Sequence, residues 1–179
     1  MPELDALLAS LRAADAEYDA AFERVAPGDR ERRPAPDRWS VAEVTEHVAI
    51  VDRAIAGQFA TAVADARAAG LTADAEDPAA VFSIDEAQLL DRTVRLTAGE
   101  ASRPTGALDA AAARAALIEA RGALEAVVAS AQGLALSRIV RPSRRSGPLN
   151  FAQWMAFAAV HERRHAAQVA EIASALASA

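Results

Sequence analysis

Residues 154–172 read WMAFAAVHERRHAAQVAEI. Trp154, Ala158, His161, His165, Gln168 and Ile172 recur in steps of four and three, which places them on one face of a helix. Asn150 stands three residues before Gln153, a capping pattern for a helix start, and the periodic pattern continues to about Leu176. The spacing predicts a helix of more than six turns whose face of apolar and imidazole side chains looks into the interior of a helical assembly.

A second stretch, residues 39–55, reads WSVAEVTEHVAIVDRAI. Ser40 and Glu43 form an S-x-x-E capping box, Val44, His47, Val48, Val51 and Ile55 form the stripe, and Gly70 is the stop. Two further helices are expected. One spans Pro2 to Val25, carries Leu4, Leu7, Leu8, Leu11, Tyr18 and Phe22, and is ended by Pro27, Gly28, Pro34 and Pro36. The other spans Leu108 to Gln132 with Leu117, Ile118, Leu124, Val127 and Val128 inward and Gly133 behind it. Four long helices with one apolar stripe each bury those stripes best as an all-α four-helix bundle, here a single domain over residues 1–179. The connector 71–106 is too long for a tight hairpin, so it is expected to cross the bundle and leave the second and third helices parallel. Within it, Ser83 and Glu86 suggest a capped short helix burying Leu89, Leu90 and Val94. Residues 137–148 read as a loop with Arg138, Arg141, Arg144 and Arg145, and Leu134 to Val140 is the one candidate for extended chain.

Composition narrows the chemistry. The 179 residues are 53% hydrophobic and 25% charged, enough for a core and a solvated surface. Fifty are alanine, and only 4% are aromatic, which favours helices over sheets. There is no cysteine, so disulfides, thiolate ligands and a protein-borne sulfur nucleophile are excluded. All 19 basic residues are arginine, which excludes lysine Schiff-base chemistry. A net charge of -6 and a pI near 5.1 argue against non-specific nucleic-acid binding. The acidic start MPELDALLASLRAAD is unlike a secretory signal, and no apolar run is long enough for a membrane span; a cytoplasmic protein is expected. No phosphate-binding glycine loop or dinucleotide fingerprint is found.

Three histidines remain, and their placement carries the functional reading. His161 and His165 lie one turn apart on one face, and His47 sits on the inner stripe of the second helix. Two imidazoles from one rigid helix and a third from a facing helix suit a divalent metal, with the fourth position open to water, a thiolate or a carbonyl. Glu43, Glu46, Asp52, Glu162 and Gln168 are within reach to orient the rings. The histidine pair is not read as the helix motif of zinc proteases.

Trp39-Ser40-Val41-Ala42-Glu43 leading to His47, and Trp154 leading to His161-Glu162-Arg163-Arg164-His165-Ala166-Ala167-Gln168, resemble the DinB superfamily. That resemblance implies a four-helix bundle with a long crossover between its second and third helices, and His47, His161 and His165 as the metal triad, with zinc or nickel the usual ion. It also implies a homodimer, and a thiol-dependent transferase or isomerase in which the metal activates a low-molecular-weight thiol. With no cysteine in the chain, that thiol would come from outside.

The remaining features have plainer readings beside functional ones. Arg164 could orient a bound anion or pair at the surface, and the arginines from Arg138 to Arg145 could hold a carboxylate or phosphate or form a solvated loop. Trp39 and Trp154 could line a pocket or anchor the core. The expected activity is that of a metal-dependent enzyme on a small-molecule substrate, by thiol transfer or by hydrolysis. The alternative is a non-catalytic metal-binding or stress-response bundle that acts through dimerisation.

Overall fold

The computed structural model describes residues 4–94, 96–144 and 146–178. Helices α1 (Leu4–Glu23), α2 (Val41–Ala68), α4 (Ala110–Ser130) and α5 (Phe151–Ala177) build a four-helix bundle, and α3 (Glu86–Leu90) is a short helix inside the connector. Strands β1 (Val140–Ser143) and β2 (Gly147–Asn150) form an antiparallel hairpin just before α5.

The long helices start where their caps are. Ser40 and Glu43 close a capping box on α2, Asn150 and Gln153 close another on α5, and Asp109 accepts from the Ala112 amide at the start of α4. Gly70 and Gly133 follow α2 and α4 with φ of 67° and 77°, a left-handed stop that a side chain would strain.

The crossover leaves α2 and α4 parallel. At their first turns Glu46 accepts from the amides of Thr105 and Gly106, just before α4, and at their last turns Arg67 donates to the carbonyls of Ser130 and Gln132. The helix α1 runs with α5 and against α2: Leu11 packs with Ile55, Phe59 and Met155, while Tyr18 and Phe22 pack with Val44, Val48 and Val169. Phe59 and Phe151 meet edge to face at 5.4 Å in the centre of one half of the core.

Several details differ from the sequence expectation. Residues 140–150 pair as a hairpin with Pro142 opposite Pro148, the two prolines that made this stretch read as loop. Extended structure begins at Val140, and Leu134 makes only an isolated bridge to Thr72. The cap of α3 is Asp85, which accepts from the Gln88 amide, and the Ser83 carbonyl instead accepts from Gln153 Nε2. Leu90 and Val94 are exposed, because a helix of five residues is too short to bury a stripe. Ile118 is 56% exposed beside a fully buried Leu117; neighbouring residues point about 100° apart, and only one of the pair can face α2. Pro2 and the second residue of the Arg144–Arg145 pair lie outside the described residues.

Candidate metal centre

Helix α5 presents two different stripes. Met155, Ala158, Ala159, Glu162, Val169 and Ile172 face the bundle axis, all buried. His161, His165 and Gln168 lie on the adjoining flank, so the imidazoles sit at the seam between α5 and α2 rather than on the axis. The reason is Glu162. Its carboxylate accepts from Arg121 Nε at 2.8 Å, and Arg121 also reaches Asp15 at 3.1 Å and Asp19 at 2.7 Å. An inward arginine from α4 makes an inward glutamate on α5 tolerable, since buried charges persist when paired.

At the seam, one nitrogen from each of His47, His161 and His165 falls within 4.8 Å of the others. His161 Nε2 and His165 Nε2 are 3.2 Å apart. His47 Nδ1 donates to the Ser102 carbonyl at 2.6 Å, and His165 Nδ1 donates to Gln168 Oε1 at 2.8 Å. These bonds put the proton on Nδ1 and leave Nε2 as the free base on both rings. Among the described residues, His161 Nδ1 is buried without a partner. Burial holds all three rings neutral: it lowers His47 below the ordinary imidazole value, and lowers His161, next to His47 and Arg164, to about 3. His165 is pushed down well below its ordinary value by burial and then by its two neighbouring imidazoles.

This donor set fits a divalent metal. Two imidazoles on one tetrahedral zinc stand roughly 3.3 Å apart, given bonds of about 2.0–2.1 Å, close to the observed 3.2 Å. Among the described residues no carboxylate joins the cluster. Trp39 lies 5.1 Å from His47, and Phe157 stacks on His161 at 5.6 Å, so aromatic rings wall both sides.

The connector closes the seam from outside. Besides Ser102 on His47, it is held by Arg164, which donates to the carbonyls of Leu89, Asp91 and Val94, and by Arg92, which forms two bonds with Glu171. The sequence left Arg164 either to orient a bound anion or to pair at the surface. In the structure its guanidinium straps the connector to α5.

A family model of the DinB superfamily matches residues 10–169. The chain belongs to the DinB superfamily. No curated protein and no solved structure matches it. For a DinB-superfamily chain, the expected histidines converge, and of the five proposed orienting residues only Gln168 reaches a ring. Glu43 completes the cap of α2 with Arg33 beside it, Glu46 anchors the end of the connector, and Asp52 and Glu162 face the Arg121 cluster. The Ser102 carbonyl was missed, because a backbone acceptor 55 residues from His47 leaves no mark in side-chain spacing. His161-Glu162-Arg163-Arg164-His165 does have the H-E-x-x-H order of zinc proteases, contrary to the sequence reading. Its glutamate, however, is turned to Arg121 and away from the imidazoles, where a protease needs its general base.

Proposed function

We propose that this protein is a metal-dependent enzyme whose ion is held by His47, His161 and His165. The observation that carries the reading is the donor set: three neutral imidazoles with converging nitrogens and no carboxylate among the described residues to close the set. Structural zinc sites are usually filled by four protein ligands, whereas catalytic ones keep a position open. Zinc or nickel suits imidazole donors. A divalent ion bound there would act as a Lewis acid and lower the pKa of a thiol or water brought beside it.

The chain's own residues prepare the site in three ways. Ser102 and Gln168 fix the tautomers of His47 and His165, so both present a basic Nε2 before any ligand arrives. Trp39 and Phe157 flank the rings and exclude water from two sides. Burial keeps the imidazoles unprotonated at neutral pH. The family resemblance favours an external low-molecular-weight thiol as co-substrate in a transfer or isomerisation, and the absence of cysteine is compatible with that.

The test is elemental analysis of untagged protein purified without chelator, followed by a thiol-transfer panel on the metal-loaded form. One zinc or nickel per chain and thiol-dependent turnover would support the enzyme reading. One metal per chain with no turnover and no binding of added thiol would favour a non-catalytic bundle, and failure to bind any divalent metal would end both.

A further inference from the structure

Arg144 stands exposed at the turn of the β1–β2 hairpin. Its guanidinium occupies the space that a Cβ on residue 99 would need, so Gly99 provides the hollow in which it rests. Arg141 on the same hairpin reaches Asp65 and the Val140 carbonyl. Arg144, in contrast, has no hydrogen-bond or ion-pair partner among the described residues. It is held by packing on a glycine, with its N–H donors left available.

The hairpin is linked to the histidine site along two routes. Gly99 opens the turn that ends at Ser102: Ser102 Oγ donates to the Gly99 carbonyl at 3.1 Å, and the Ser102 carbonyl accepts from His47 Nδ1. On the other side, the Arg141 carbonyl accepts from Trp154 Nε1, Trp154 meets Phe157 edge-on at 5.4 Å, and Phe157 stacks on His161. One end of the hairpin thus rests on the turn that holds His47, and its first strand rests on the wall beside His161. This tip is linked to the centre through Gly99, Ser102 and His47, and because the three ligands are neutral, a bound divalent ion keeps its full charge and favours an anion in the open position.

We propose that Arg144, cradled on Gly99, is a specificity-determining residue of the histidine site and pairs with a carboxylate on a ligand whose other end reaches the three imidazoles. This rests on the metal-centre reading above and adds the class of ligand. A single guanidinium fork matches a planar carboxylate with two parallel bonds. A phosphate would find no glycine loop in this sequence, and the start of α5, which follows the hairpin, is already capped by Asn150 and Gln153.

The experiment uses cobalt-loaded protein and two thiols of equal tether, 6-mercaptohexanoate and 6-mercaptohexanol, with sulfur–cobalt charge-transfer absorption as the readout. The wild type is expected to bind the acid about tenfold more tightly than the alcohol, the scale of one charge-assisted pair. Arg144→Gln should bring the two within about twofold while leaving cobalt stoichiometry and mercaptohexanol affinity unchanged. Gly99→Ala keeps the charge but fills the hollow, and should lose part of the preference. Equal affinities in the wild type, or a preference that survives in Arg144→Gln, would overturn the role of Arg144 while leaving the metal centre intact. Failure to take up cobalt would overturn the metal-centre reading and the proposal with it, whereas uptake with no thiol absorption would overturn the proposal and favour the non-catalytic bundle.

Discussion

His161 and His165 face each other Nε2 to Nε2 at 3.2 Å across one turn of α5. Two basic nitrogens at that distance either share a proton or share a cation. His165 already has its proton on Nδ1, directed at Gln168. A common ion uses both lone pairs, and this relationship underlies the first two predictions.

His161→Ala is expected to abolish stoichiometric zinc or nickel uptake while leaving the helical circular-dichroism signal near that of the wild type. Gln168→Ala removes only the bond that orients His165 and should weaken metal affinity by about 10–100-fold. Calorimetric titration reads both, and full metal retention in His161→Ala would rule the triad out.

Metal affinity should stay nearly flat as pH falls from 8 to about 6. Free imidazoles begin to protonate near pH 6.5, but burial lowers all three here, His161 to about 3, so protons compete for the folded site only in more acidic solution. Stability of the metal-free protein follows a different curve. A depressed folded-state pKa means that the unfolded chain takes up protons first, so this stability is present above about pH 6.5 and is lost as pH falls. Titrations at pH 8, 7, 6 and 5 check the first point; a tenfold loss per unit beginning at 6.5 would contradict the burial argument.

Asp52 provides the opposite pH dependence. It is 1% exposed, its Oδ1 has no partner among the described residues, and it lines a cavity of about 10 Å³ with Asp15, Arg121 and Glu162. Burial raises its carboxyl above the ordinary range, and Arg121 only partly offsets this. A raised folded-state pKa gives stability that is complete below the unfolded value near 4 and is lost as pH rises through the folded value. Asp52→Asn should therefore be stabilising at pH 9, by on the order of 1 kcal/mol, and should flatten the fall in melting temperature between pH 5 and 9. An unchanged slope would show that Asp52 is ionised throughout.

Arg121→Ala should be destabilising by up to about 3–5 kcal/mol, because it removes the charged partner of the buried Glu162 and the half-buried Asp15. Arg163→Ala, which breaks a more solvated pair with Glu17, should cost less than about 1 kcal/mol. Urea unfolding of the two variants distinguishes them; similar midpoints would mean that the Arg121 network carries no net stability.

Arg164→Ala should release the connector without unfolding the bundle. The guanidinium makes three bonds of 2.6–2.8 Å to carbonyls between Leu89 and Val94, where apolar burial is small. Amide exchange over residues 86–94 is expected to accelerate by more than about tenfold, with exchange in α2 and α5 unchanged. Unaltered protection in that segment would assign the strap to other contacts.

Much of the bundle was legible because helix signals are local. The S-x-x-E box at Ser40, the Asn150–Gln153 cap and the stops at Gly70 and Gly133 act through neighbours within a few residues, and all four stand where expected. The hairpin at 140–150 was not legible, since its two prolines outweighed a pairing that only the start of α5 brings into register. Nor was the exposure of Ile118, because periodicity does not say which of two adjacent apolar residues meets the partner helix.

The sequence by itself determined four long amphipathic helices, a crossover too long for a hairpin, and three histidines spaced to meet. These follow from 3.6-residue periodicity, capping chemistry and chain length, which need no partner. Only the tertiary structure decided how the charges were distributed: Glu162 to the core with Arg121, Arg164 to the connector, Ser102 to His47, and Arg144 to the hollow at Gly99. Each of those contacts joins residues at least 41 positions apart in the chain, and burial decides them by leaving each polar group only the partners that packing brings within reach.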